Sequence, residues 1–173
     1  RIVHVYKDFW PPVEGGIERI IHHMARGCSD EFDASVIVAS RDGQGHERQI
    51  EGAGGQAIQI TEVPCARRLF STPIAPGFKQ ALVQSGADLF HFHIPHPTGE
   101  VAYLLSGLKT PAVATYHSDV VRQRAAMIAY GPFFRRFLSR MSVIMPTSER
   151  YMQTSSWLRP WREKCRVTAL GYP

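Results

Sequence analysis

Apolar residues fall into short β-branched runs separated by stretches with helical spacing. Ile2-Val3-His4-Val5-Tyr6 is a strand pattern that ends before Pro11-Pro12. Beyond a loop through Gly15-Gly16, Ile17, Ile20, Ile21 and Met24 sit at i, i+3, i+4 and i+7 and predict an amphipathic helix ending at Cys28-Ser29. Residues 35–39 predict a second, fully buried strand, 41–55 a Gly-rich polar loop, and 57–63 a third strand. A Pro- and Arg-containing connection at 64–75 leads to a helix over 75–85, with Phe78, Leu82 and Val83 facing inward. Strands follow at 88–94 and 112–116, with a helix over 98–108 between them. Residues 120–140 are helical, with a break expected near Gly131-Pro132 because proline cannot donate to the helix ladder. A short strand at 143–146, a helix over 148–158 capped by Ser148 and a last strand at 167–170 complete the pattern.

Strands alternating with helices predict βαβ units: an α/β, Rossmann-like, doubly wound and mostly parallel sheet with helices on both faces. With 173 residues, a single domain over 1–173 is expected. Ligands of such sheets bind at the carboxyl ends of the strands. The polar residues with chemical capacity follow strand ends: Lys7-Asp8 and Gly15-Gly16 after the first, His93 and His96 at the fourth, His117-Ser118-Asp119 after the fifth, and Thr147-Ser148-Glu149 after the sixth.

Charge is unevenly placed. Residues 1–60 carry a net charge of −3, 61–116 of +1 and 117–173 of +7, so the last third suits an anionic partner or a solvated surface. Cys28, Cys65 and Cys165 are odd in number and widely spaced, which argues against a disulfide framework or zinc ribbon and for a reducing compartment. No apolar run approaches the ~20 residues of a membrane span. The chain opens on a strand with no leader pattern ahead of it, and a cytoplasmic location is expected.

Gly15-Gly16 directly precedes a helix. Two glycines there either let a phosphate approach the free N–H groups or make a tight turn at positive φ. The motif is neither GxGxxG nor a P-loop, and no HExxH, GxSxG or kinase signature occurs. His117 at a strand end is placed either to bond a sugar hydroxyl or to act as a satisfied structural histidine. His91, His93 and His96 invite a metal reading, but no carboxylate or cysteine joins them locally, and no metal is assigned. Arg122 and Arg124 open a helix against its dipole, as a phosphate-binding pair would. Arg135, Arg136 and Arg140 alternate with Phe133, Phe134 and Phe137, a pattern of an amphipathic helix or of contact with anionic lipid. No aromatic stacking platform for nucleic acid is evident.

His4 to Pro12 followed by Gly15-Gly16-Ile17-Glu18 resembles the opening of the group 1 (family 4) retaining glycosyltransferases of the GT-B fold, in which a strand runs through PPxxGGIE into the first helix. Asp88 to His93, Ala114 to Asp119, Thr147-Ser148-Glu149 and Val167 to Tyr172 resemble further segments of that family, although Leu170 stands where the family often has proline. The resemblance implies an N-terminal, acceptor-side domain of a two-domain enzyme. Its partner domain, with the family's E-x7-E motif, is expected to be absent from this chain, because no two glutamates are eight apart. It implies transfer of a hexose from a nucleoside-diphosphate sugar to a cell-envelope, lipid-linked or polysaccharide acceptor. Gly15 and Gly16 would hold the donor diphosphate, and His117 would contact the hexose as the catalytic residue. Lys7, Asp8, His93, Asp119, Arg122 and Arg124 would lie on the acceptor side. No cofactor, metal or nucleic acid is implied, the isolated domain is expected to be inactive, and peripheral contact with anionic membrane is admitted. The alternative is a stand-alone Rossmann-like module that binds nucleotides or phosphates without catalysis.

Overall fold

The computed structural model describes residues 1–69, 71–118 and 124–171, and in 124–128 the backbone alone. Asp119 and Arg122 lie outside the described residues, as does the Arg124 side chain. Seven strands form one sheet in the order β3-β4-β2-β1-β7-β8-β9, from β1 (Ile2–Val5), β2 (Ala34–Ala39), β3 (His46–Glu51), β4 (Ala57–Val63), β7 (Leu89–Ile94), β8 (Ala112–Tyr116) and β9 (Val143–Pro146). All neighbours are parallel except β3 against β4.

Because side chains alternate along a strand, one sheet face carries Val3, Val5, Phe90, Phe92, Ala112, Ala114 and Tyr116. This face packs beneath α2 (Phe78–Gln84), α3 (Pro97–Ser106) and α4 (Arg124–Arg140), through Phe78, Leu82, Tyr103, Phe134, Phe137 and Leu138. The opposite face, with Tyr6, Val36, Val38, Ile58 and Ile60, packs beneath α1 (Gly16–Cys28) through Ile21 and Ala25. Helices thus cover both faces, as the alternation predicts. The order in which strands are added reverses between the parallel neighbours β1 and β7: β1 leads through α1 to β2 on one side, and β7 leads through α3 to β8 on the other. That reversal is the switch point at which such sheets open a ligand crevice.

Six local expectations are corrected. The 41–55 loop contains β3, whose Arg48 pairs with Glu62 at 2.7 Å and whose Glu47 accepts from Thr61 at 3.1 Å. An exposed, charged edge strand carries no apolar alternation to detect. The 64–75 connection folds into a hairpin of β5 (Arg67–Leu69) and β6 (Thr72–Ile74). Val83 is half exposed, so α2 buries only Phe78 and Leu82. Helix α4 continues through Pro132. Burial of Phe134, Phe137 and Leu138 in the core offsets the ~3 kcal/mol that an interior proline costs. The expected helix over 148–158 is shorter: α5 (Glu149–Thr154) is followed by a 3-10 turn, Arg159–Lys164. Ser148 does cap it, accepting from Tyr151 N at 3.2 Å. The expected last strand is a single bridge from Ile144 to Cys165, after which Thr168 N donates to Pro146 O at 3.0 Å. The three cysteines are free.

Candidate functional site

The carboxyl ends of β1, β7 and β8 bring together the residues singled out by their position after strands. Gly15 is the N-cap of α1 at φ −120°, ψ 158°, an extended conformation, so no positive φ demands glycine there. A Cβ on Gly15 would fall 1.9 Å from Glu18 Oε2, the far end of a side chain folded back over the turn, so a larger residue there requires the Glu18 carboxylate to swing away. Glu18 lies in the first turn, where a carboxylate complements the positive end of the helix dipole. Gly16 begins the helix and is exposed.

After β1, Asp8 is buried, and its carboxylate meets Arg68 Nη2 at 3.0 Å and Arg41 Nη1 at 3.4 Å. Arg68 also donates to the carbonyls of Lys7, Ala39 and Ser40 at 3.4, 3.3 and 3.5 Å, which seats the β5–β6 hairpin on the ends of β1 and β2. The Lys7 ammonium lies 5.6 Å from the Tyr6 ring centre.

After β7, His96 is fully buried between Tyr6 and Phe78, and neither of its ring nitrogens has a hydrogen-bond partner. Burial, aided by the fields of Lys7 and Arg68, lowers its pKa to about 3. Its backbone N–H donates to Glu100 Oε1 at 2.5 Å, and the Tyr130 hydroxyl reaches Glu100 Oε2, tying α3 to α4. Burial pushes the Glu100 carboxyl from 4.5 up to about 8, so it is protonated at neutral pH. A raised carboxyl contributes stability fully below pH 4.5 and loses it as pH rises through about 8. Glu100→Gln keeps the shape and the bonds of the protonated acid. The buried histidines titrate alike in both proteins, so the stability of the wild type relative to the variant is expected to fall between pH 6 and pH 9, and equal pH dependence of the two proteins would refute the assignment.

Register explains the densest cluster. His4 of β1 aligns with His91 of β7, and His93 aligns with Thr115 of β8, so these side chains share the sheet face that bears α1. His91 Nε2 bonds Thr115 Oγ1 at 2.7 Å, His4 Nδ1 meets His93 Nε2 at 3.2 Å, and His93 Nδ1 meets His117 Nε2 at 3.1 Å. Burial lowers His4 and His117 to about 4 and holds His91 and His93 well below their ordinary value. His4, His91 and His93 bring ring nitrogens within 4.8 Å of one another, a spacing a borderline metal ion accepts. No carboxylate joins that group among the described residues, and the facing nitrogens of His4 and His93 are already bonded to each other.

The structure therefore brings Lys7, Asp8, Gly15, Gly16, His93 and His117 to one edge. Spacing alone does not reveal His4, Arg68 or Glu100; the presence of Glu100 in an otherwise apolar helix is the only local signal among them. A groove of about 620 Å³ between α2 and β4 includes none of these residues in its lining.

An open, mostly parallel sheet with a switch point, a helix N-terminus beside it and a buried histidine at the adjacent strand end make up a Rossmann-like ligand-binding edge. The chain belongs to the glycosyl transferase 4-like domain family, which matches residues 15–171. It is 31% identical over 174 residues to D-rhamnosyltransferase WbpZ of Pseudomonas aeruginosa, covering 99% of this chain and 44% of the relative. It is 30% identical over 176 residues to O-antigen chain mannosyltransferase C of Escherichia coli, covering 99% and 46%. The chain thus spans less than half the length of these relatives. The fold matches that of sucrose-phosphate synthase from Thermosynechococcus elongatus, with a TM-score of 0.69 at 14% identity, over 99% of this chain and 48% of that one.

Proposed function

We propose that this chain is the acceptor-side half of a retaining hexosyltransferase, which moves a hexose from a nucleoside-diphosphate sugar to a cell-envelope, lipid-linked or polysaccharide acceptor. The observation that carries the reading is the placement of His117, nine-tenths buried at the end of β8 and bonded to His93, on the same sheet edge as the start of α1. Family membership and the names of the two relatives, a rhamnosyltransferase and a mannosyltransferase, support it.

In this reading the turn at Gly15 and Gly16 and the dipole of α1 face the diphosphate, the Gly15 N–H itself donating to Val13 O at 3.1 Å. Negative charge develops on the leaving phosphate, and N–H groups already fixed in place stabilise it without reorganising. His117 bonds the donor hexose beside the reacting carbon. Lys7, Asp119, Arg122 and Arg124 serve the acceptor side, with Asp8 and His93 as buried supports. No metal or cofactor is assigned a role. The donor-binding remainder is supplied by a second domain, and the 173-residue chain alone is expected to turn over no nucleotide-sugar.

The test is calorimetric titration of a nucleoside diphosphate into the complete enzyme, wild type and Gly16→Val, alongside turnover. Gly16 is exposed, so the variant is expected to melt like the wild type while its diphosphate affinity falls at least tenfold. Unchanged affinity would remove the phosphate from this turn. Binding without any sugar transfer would favour the stand-alone module.

No helix among the described residues is long and apolar enough to cross a membrane. We place the enzyme in the cytoplasm, touching the membrane peripherally through the arginines of α4. Sedimentation with anionic vesicles is expected at 0.1 M salt and lost at 1 M, where the Debye length shrinks from ~10 to ~3 Å. No binding at low salt would leave Arg135 and Arg136 as a solvated face, Arg140 being held by Leu108 O and the Tyr103 ring.

A further inference from the structure

Three imidazoles form an unbroken line from the interior to the strand end. His4 Nδ1 lies 3.2 Å from His93 Nε2, and His93 Nδ1 lies 3.1 Å from His117 Nε2. Their exposures are 1%, 0% and 9%. Neighbouring rings fix the planes: His91 stacks on His93 with centroids 4.3 Å apart and is itself held by Thr115. Burial keeps the rings neutral at pH 7.

A neutral imidazole offers one N–H and one bare lone pair. Two N···N contacts in series therefore constrain each other, and every ring must donate in the same direction. Either all three protons sit on Nδ1 and the line donates from His4 toward His117, or all sit on Nε2 and it donates from His117 toward His4. The buried end decides between them. His4 Nε2 is sealed from solvent and has no hydrogen-bond partner. The second arrangement strands an N–H there, whereas the first leaves only a lone pair. Orphaned buried N–H groups are the rarer of the two.

We propose that His4 and His93 are positioning residues that hold His117 in its Nδ1–H form, so that the strand end presents a hydrogen-bond donor. Nδ1 is the ring nitrogen of His117 that His93 leaves for a ligand. Taken with the proposed function, on which this step rests, His117 meets an acceptor oxygen: a hydroxyl lone pair of the sugar or an oxygen of the phosphate. A ligand that offered only a donor N–H would have to reverse all three rings and strand the His4 proton.

Long-range proton–nitrogen correlation spectra of the protein, 15N-labelled at histidine and recorded at pH 7.5, read the tautomers directly. His4, His93 and His117 are each expected to show the Nδ1–H pattern. His93→Asn places an amide N–H where the Nδ1–H stood and is expected to keep His117 as it is. His93→Asp puts an acceptor oxygen where the Nδ1–H stood, and the two ring-nitrogen shifts of His117 are expected to exchange as it turns to Nε2–H. A wild-type His117 protonated on Nε2 overturns the proposal, and so does a His117 tautomer unmoved in a folded His93→Asp. If the aspartate variant does not fold, the wild-type and asparagine spectra still decide. The spectra report proton position and not turnover, so a wrong tautomer overturns this inference alone. An inactive enzyme with the expected tautomer counts against the proposed function alone.

Discussion

Taking the pH from 7.5 to 5 is expected to strip the domain of a large part of its stability. His4, His91, His93, His96 and His117 are all buried, and all have folded-state pKa values below 6.5, chiefly through desolvation. A depressed pKa contributes stability that is present above the unfolded value of 6.5 and is lost as pH falls toward the folded one. At pH 5 the unfolded chain takes up nearly one extra proton at His4, His96 and His117, worth ~2 kcal/mol apiece or ~6 in all, and His91 and His93 act in the same direction. Glu100 has the opposite sign and returns ~3 kcal/mol over the same interval, because the unfolded chain alone ionises it there. The net loss exceeds ~3 kcal/mol, a large fraction of the whole stability of an ordinary domain, ~5–15 kcal/mol. Denaturant unfolding at pH 7.5, 6.5 and 5.5 checks this, and a stability that is flat across that range would contradict it. His96→Leu should soften the acid limb, since both its ring nitrogens lack partners and their removal breaks no hydrogen bond.

The second large effect is on turnover. His117→Ala in the complete enzyme is expected to lower kcat about a hundred- to thousandfold, the ~2.7–4 kcal/mol typical of one preorganised hydrogen bond made in the transition state. KM should move far less, because such a bond adds little to ground-state binding. A purely structural histidine gives the reverse result: a lower Tm, with near-normal kcat in the folded fraction. Both quantities belong on the same sample, and a stable variant with ordinary kcat would refute the catalytic role.

The parts of the fold legible in the sequence are those whose burial imposes a period. β1, β2, β7 and β8 show as β-branched or apolar runs because both their faces are covered, and α1 shows as a stripe because one side of it is. β3 and the β5–β6 hairpin lie at the surface, where Glu47, Arg48 and Arg67 carry no such period. Pro132 misleads because local propensity is outweighed by the core contacts of its helix neighbours. At the site, Gly15, Gly16 and His117 are legible because strand ends are where such sheets bind ligands. The part played by His4 is not, because it depends on the register between β1 and β7, which are separated by more than eighty residues and by no local pattern. Arg68 is hidden in the same way: only the folded hairpin brings it to Asp8.

That arginine divides the hairpin into two parts with different freedoms. The base of the hairpin is riveted, since Arg68 neutralises a buried carboxylate and caps three carbonyls at once. Truncating it would strand Asp8 beside Arg41 alone and leave backbone acceptors unpaired. The described residues of the turn, with Leu69 half exposed and Ser71 at φ 68°, make no comparable commitment to the sheet. Sequence change at that turn can therefore reshape the rim of the crevice while the ends of β1 and β2 stay where they are. The hairpin behaves as an interchangeable blade in a fixed handle, and exchanging its turn between relatives is expected to leave the sheet beneath it undisturbed.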